Sequence, residues 1–265
     1  MHDRQIDLSR LYDALLEHDG DAVDDVVLRP WLAENPDRLT DLVAIAGRMR
    51  YPDQGLPVED LWVLYAVLRI VERLQDALIS DRLSLPAYRG FTGAIGLSEI
   101  QPHPFHPMFH EIVSVTQTDD PDATAMIEDT LWPGMQLGPL ILSRSGVALQ
   151  AGEHHVDKQL AEGSTLYWAN FRGHRPVEDR SHGWGHNSQW RTEIRQDFIH
   201  GDRAYFNAFA QGAEDPSIPK DEAVSLVRHR CTICRPSSSP EPYPYNTSVT
   251  EPYSPDATFV GKHCG

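Results

Sequence analysis

Cysteine is scarce in this 265-residue chain: there are three, Cys231, Cys234 and Cys264, all beyond residue 230. Cys231 and Cys234 form a CxxC, but no second CxxC completes a zinc site and no βαβ context surrounds it. They read as ordinary reduced thiols. Basic residues are also few. Lys and Arg number 23 against 39 Asp and Glu, a formal net charge of -16, which argues against a nucleic-acid or anionic-membrane partner. No apolar run approaches the roughly 20 residues needed to span a bilayer. The opening residues, MHDRQIDLSR, lack the charged-then-apolar layout of a secretory leader, so a soluble, cytoplasmic protein is expected.

The first ninety residues carry helical spacing. DLSRLYDALLEHDG, DDVVLRPWLAEN and DRLTDLVAIAGRMR place apolar residues three and four apart. PVEDLWVLYAVLRIVERLQDALISDRL opens with Pro57 and two acids and is apolar almost all round, which predicts a long core helix. Trp62, Tyr65 and Leu68 within it read as core. After Pro102 the elements shorten; LGPLILSRSGVALQ could hold a strand pair, and HHVDKQLAEGSTLYWANFRGH has helical spacing interrupted near Gly163. The expected fold is therefore mainly α, a single helical domain over residues 1–234 with a few short strands and long loops. The Pro/Ser-rich residues 235–265 are expected to form a tail, disordered or packed along that domain. The large apolar helix set would allow a homodimer.

Histidine is what the chain has in excess: nine of its thirteen fall between residues 103 and 200. HPFHPMFHEI, residues 103–112, carries three of them. Pro107 suits the first position of a helix, which would place His106 near the N-cap and His110 in the first turn. The positive end of that helix would keep His110 neutral, a plausible general base between Phe105 and Phe109. The alternative is a purely local, capping role for these histidines. In RSHGWGHNSQWRTEIR, Gly183 and Gly185 allow close backbone approach, and Asn187, Ser188, Gln189 and Arg191 supply donors. Arg191 or Arg195 could grip a carboxylate with two parallel bonds, and Trp184 and Trp190 could floor a small-molecule pocket. His154, His155, His174, His182, His186 and His200 are further candidate metal ligands, since neutral imidazole suits iron, copper and zinc. His106/His110 and His182/His186 share a spacing of four, but no HExxH accompanies them.

HPFHPMFHEIV, SRSGV, FRGHRPVEDRSHGWGHNSQWRT and LVRHRC together resemble the haem-dependent L-tyrosine hydroxylases of bacterial antibiotic pathways, over roughly residues 85–235. These belong with tryptophan 2,3-dioxygenase among the largely helical, histidine-ligated aromatic oxygenases. The resemblance implies a tryptophan-dioxygenase-like haem-binding architecture, a haem b iron with one axial histidine, and hydroxylation of tyrosine ortho to the phenol to give L-DOPA. The oxidant would be hydrogen peroxide, or dioxygen with a reductant. His110, with His106 beside it, fits the distal base. His182 is the first choice for the axial ligand, His174 the second because the dioxygenase relatives place theirs ahead of a Gly/Ser-rich loop, and His200 the third. Asn187, Ser188 and Arg191, with Trp184, would hold the amino-acid substrate. Some members attach haem covalently through HxxxC; here Val227, Arg230 and Val260 stand four before the cysteines, so a non-covalent haem is expected. The alternatives are a non-haem iron, copper or zinc oxygenase or hydrolase, whose carboxylate would be Glu111, Glu153 or Asp157, and a non-catalytic haem- or metal-binding protein.

Overall fold

The computed structural model describes residues 2–163, 193–212, 216, 218–229, 246–257 and 259. Among them are seven α-helices and nine strands in two sheets, so the fold is mixed α/β and the expectation of a mainly α, tryptophan-dioxygenase-like architecture is corrected.

The helices come first in the chain: α1 (His2–Glu17), a π-helical turn (Asp24–Leu28), α2 (Arg29–Glu34), α3 (Pro36–Arg48), α4 (Val58–Ile79) and α5 (Leu85–Ala94). In α4, Pro57 occupies the N-cap and Glu59 and Asp60 lie in the first turn, where acids suit the positive end of the helix. Leu61, Leu64, Val67, Ile70, Val71 and Leu74 are all buried along it, each contributing roughly 1.5–3 kcal/mol. Arg48 at the end of α3 donates from Nε and Nη2 to both oxygens of Asp60, at 2.6 and 2.7 Å, and so fixes how α3 meets α4. The Tyr12 hydroxyl of α1 accepts from Arg69 and Arg73 of α4. Among the described residues no helix is long and apolar enough to cross a membrane.

The strands are β1 (Ser98–Glu99), β2 (His110–Gln117), β3 (Met126–Trp132), β4 (Met135–Leu137), β5 (Leu140–Ser143), β6 (Ser145–Ala151), β7 (Gln196–His200), β8 (Arg203–Ala208) and β9 (Val249–Pro252); α6 (Lys158–Gly163) and α7 (Lys220–His229) lie between them. One sheet runs β1-β4-β5-β7-β8-β9 with antiparallel pairing throughout. The other runs β2-β6-β3, with β2 parallel and β3 antiparallel to β6. LGPLILSRSGVALQ does contain two strands, β5 and β6, but they belong to different sheets and do not pair with each other. Arg144 alone separates them. The chain also changes sheet between β3 and β4, through Pro133 and Gly134. The two crossings touch: Gly134 N donates to Ser145 Oγ at 2.8 Å, and a Cβ on Gly134 would stand 2.6 Å from Ser145 N. Only glycine lets the backbones approach this closely. Gln75 of α4 donates to Ser143 Oγ at 2.7 Å, which ties the long helix to β5 beside the same crossing.

Candidate functional site

The three-histidine segment lies where the two sheets adjoin, and it is not helical. The N–H groups of Phe109 and His110 both donate to His106 O at 3.0 Å, closing one tight turn; His110 then begins β2. The reason is the sequence that follows: Ile112, Val113, Val115 and Thr116 are β-branched and pack better on a pleated sheet than in a helix. The expected helix N-terminus at Pro107 is corrected, and with it the dipole as the cause of a neutral His110.

Burial supplies that neutrality instead. His110 is 6 % exposed, and desolvation pushes its pKa down to about 4; the carbonyl of His106 opposes the shift, while His103 and Arg144 add to it. Nδ1 of His110 lies 3.1 Å from both the N–H and the C=O of His106. Either neutral tautomer therefore finds a backbone partner, with Nδ1 accepting from the one or donating to the other. Among the described residues no hydrogen bond engages Nε2. An imidazole held in this way can give or take a proton at Nε2 without turning over.

Aromatic rings surround the turn. Phe105 tilts against His110 at 5.8 Å, Phe109 meets its edge at 6.4 Å, and His103 stacks on Phe109 at 4.4 Å and 11°. Phe206 of β8 lies 6.2 Å from His106. The C-terminal residues close another side: Tyr253 and Phe259 stand edge-on to His106, each at 6.2 Å. Tyr253 Oη is 3.4 Å from His103 Nδ1. Burial lowers His103 and raises Tyr253, which favours the uncharged form of each, and the tautomer of His103 sets which of the two donates. His106 Nδ1 accepts from the N–H of Met108 at 3.1 Å.

The turn is bolted to the crossing between β5 and β6. Ser145 N donates to Phe109 O at 2.9 Å, and Arg144 Nε donates to Pro107 O at 3.1 Å. The Arg144 guanidinium also forms a close ion pair with Asp197 of β7. Asp197 Oδ1 in turn accepts from Asn207 N at 2.5 Å.

Of the residues singled out in the sequence, His106 and His110 come together on this turn. His200 does not join them: it is exposed at the end of β7, beside the Gly201–Asp202 turn, and among the described residues no hydrogen bond or ring contact links it to His110. His154 and His155 lie elsewhere, bonded to Asp122, whose carboxylate raises His154. Glu111 is buried, whereas Glu153 and Asp157 are exposed, and among the described residues no three His, Cys, Asp or Glu side chains are grouped to hold a metal ion. His174, His182, Trp184, His186, Asn187, Ser188, Arg191 and the three cysteines lie outside the described residues. Arg144, Asp197, Phe206, Tyr253 and Phe259 were not foreseen as parts of the site. Arg144 stands within the quoted SRSGV, but only the fold reveals that SRSGV and HPFHPMFHEIV lie side by side. Comparison with protein-family models, curated proteins and solved structures found no match.

Proposed function

We propose that this chain is a haem-dependent monooxygenase that hydroxylates tyrosine, or a closely related phenol, ortho to its hydroxyl. The observation that carries the reading is His110: buried, uncharged at neutral pH, set against the Phe105 and Phe109 rings, and with Nε2 unengaged among the described residues. That Nε2 accepts the phenolic proton, which makes the substrate ring more electron-rich at the ortho carbon. Phe105, Phe109 and Phe259 are buried about the turn, an apolar surrounding that would keep water from a phenol bound beside it. A bound haem supplies the iron that activates hydrogen peroxide; overall, an aromatic C–H and peroxide become a C–OH and water.

The reading rests on the histidine turn and on the quoted motifs, not on a shared architecture. His182 is the proposed haem-iron ligand, with His174 and then His200, which is exposed, as alternates; the ligand would hold the iron that supplies the oxidation chemistry. Asn187, Ser188, Arg191 and Trp184 are assigned to the amino-acid end of the substrate.

The test is an absorption spectrum of protein expressed with a haem precursor, followed by peroxide and L-tyrosine. A Soret band near one haem per chain and tyrosine-dependent catechol are expected. His110→Ala should keep the band and lose about 10²–10⁴-fold in turnover. A protein without a Soret band refutes the haem reading; a band without catechol leaves a haem-binding protein that is not this enzyme.

A further inference from the structure

We propose that Arg144 is a positioning residue for His110: anchored by Asp197, it holds the Pro107 carbonyl and so sets where the His106–His110 turn stands. The inference deepens the proposed function and rests on His110 being that site's proton acceptor.

Arg144 is the one residue between β5 and β6, where the chain passes from one sheet to the other. Its own backbone is pinned, because its carbonyl accepts from Trp132 Nε1 at 2.9 Å, and Trp132 is 1 % exposed. From this fixed point the side chain reaches in two directions, Nε to Pro107 O and Nη2 to Asp197. The planar guanidinium makes both bonds with one rigid group, which a lysine ammonium on a flexible stem cannot reproduce. Asp197 is itself held by Asn207 N, and Asn207 is held at φ +49° by bonds from its Nδ2 to Thr247 O and from Ser248 Oγ to its carbonyl. A backbone so constrained leaves the carboxylate little freedom.

Arg144 and Asp197 are 7 % and 3 % exposed. A buried ion pair of this kind stabilises little beyond what apolar side chains of the same volume would, because desolvation offsets the attraction. Its geometry is its distinctive contribution. Together with Ser145 N on Phe109 O, it gives the turn two attachments to the sheet crossing, at carbonyls on either side of Met108. Among the described residues the charged or titratable groups around His110 are Arg144, His103 and His106, with Asp197 behind Arg144 and Glu111 next in the chain, where strand alternation points it to the other face.

Arg144→Lys keeps a cation for Asp197 and gives up the fork. Arg144→Met with Asp197→Asn removes both charges while leaving an oxygen for Asn207 N–H. Each variant is compared with the full-length parent by ¹³Cε1-histidine NMR across pH, with His110→Gln to assign the signal, alongside thermal melting and the hydroxylation assay. In the parent, His110 should stay in its neutral form down to about pH 5. In either variant, loosening admits water to the ring, so the His110 titration should move to higher pH and kcat should fall about 10- to 100-fold at little-changed KM. The proposal is overturned if a folded variant gives a His110 titration that superimposes on the parent's. It is equally overturned if both variants fail to fold, since Arg144 would then be a stability element. If the parent itself binds no haem and hydroxylates nothing, the functional reading fails, while a shifted titration in Arg144→Lys, which keeps the cation beside His110, still establishes the positioning role.

Discussion

Acid should weaken this protein through His110 in a way that one substitution can isolate. An unfolded chain protonates a histidine near pH 6.5, whereas burial lowers His110 to about 4 in the folded chain. Between these values the unfolded state binds a proton that the folded state refuses, so stability falls as pH drops from 6.5 towards 4 and levels off below. The difference, 6.5 − 4, corresponds at 1.36 kcal/mol per pH unit to roughly 3 kcal/mol once the full window is crossed. At 6 % exposure little solvent screening reduces it. At pH 4.5 most of this, roughly 2–3 kcal/mol, should already be lost relative to pH 7. The perturbation is His110→Gln, which keeps a polar side chain facing the backbone of His106 but does not titrate. The assay is urea unfolding of parent and variant at pH 7 and pH 4.5. His103, also lowered by burial, and the carboxylates contribute to both proteins and cancel in the double difference where they act independently. The parent should lose roughly 2–3 kcal/mol more than the variant on acidification. Equal losses would refute the claim that His110 is buried and uncharged, and with it the base assigned to the site.

Two further substitutions probe what supports the turn. A Cβ on Gly146 would lie 2.3 Å from the Trp132 ring, which is pinned through Nε1 to Arg144 O, so Gly146→Ala should cost about 2–3 kcal/mol and lower the melting temperature by roughly 5–10 °C. A melting curve within 2 °C of the parent's would show that the ring is free to move. Phe259 meets Phe105 edge-on at 5.3 Å and stands beside His106; Phe259→Ala should cost about 2–4 kcal/mol and speed hydrogen exchange at the His110 amide, whereas unchanged exchange would mean that the C-terminal residues do not cover the turn.

The helices of the first eighty residues were legible, α7 and most of the sheets were not, and the helix expected at Pro107 is a strand, for reasons that particular residues make plain. A helix buries a stripe against one neighbour, so apolar spacing in 58–79 and an opening Pro57 were enough to locate α4. A sheet depends on partners far along the chain. Leu140 of β5 pairs with Phe198 of β7, and nothing local to either residue names the other. β3, MIEDTLW, is mostly exposed and lacks the alternation that would have marked it. β7 and β8 do carry a local signal, QDFIH and RAYFNA around a Gly-Asp turn with Gly201 at φ +60°. β9 lies in a stretch whose Pro and Ser content pointed to a tail; it adds to the sheet edge at β8, and Tyr253 and Phe259 follow it onto the histidine turn.

The site itself shows how a right feature can have a different cause. A neutral His110 was expected from a helix dipole at Pro107; the neutrality is there, but Ile112, Val113 and Val115 pull the segment into a strand, and it is desolvation that suppresses the charge. The two causes have different consequences. A dipole acts at the open end of a helix and is screened by salt, and it would leave the ring accessible. Desolvation requires that the ring be walled in: Phe105 and Phe109 stand against it, Phe206 of β8 and Phe259 after β9 stand against the neighbouring His106 ring, and Arg144 holds the Pro107 carbonyl of the same turn. An imidazole kept uncharged in this way is neutral only while those walls stay closed. Its proton affinity is therefore a property of the whole junction between the two sheets, and a change at Arg144 or Phe259, neither of which bonds to the imidazole, should be read out at His110.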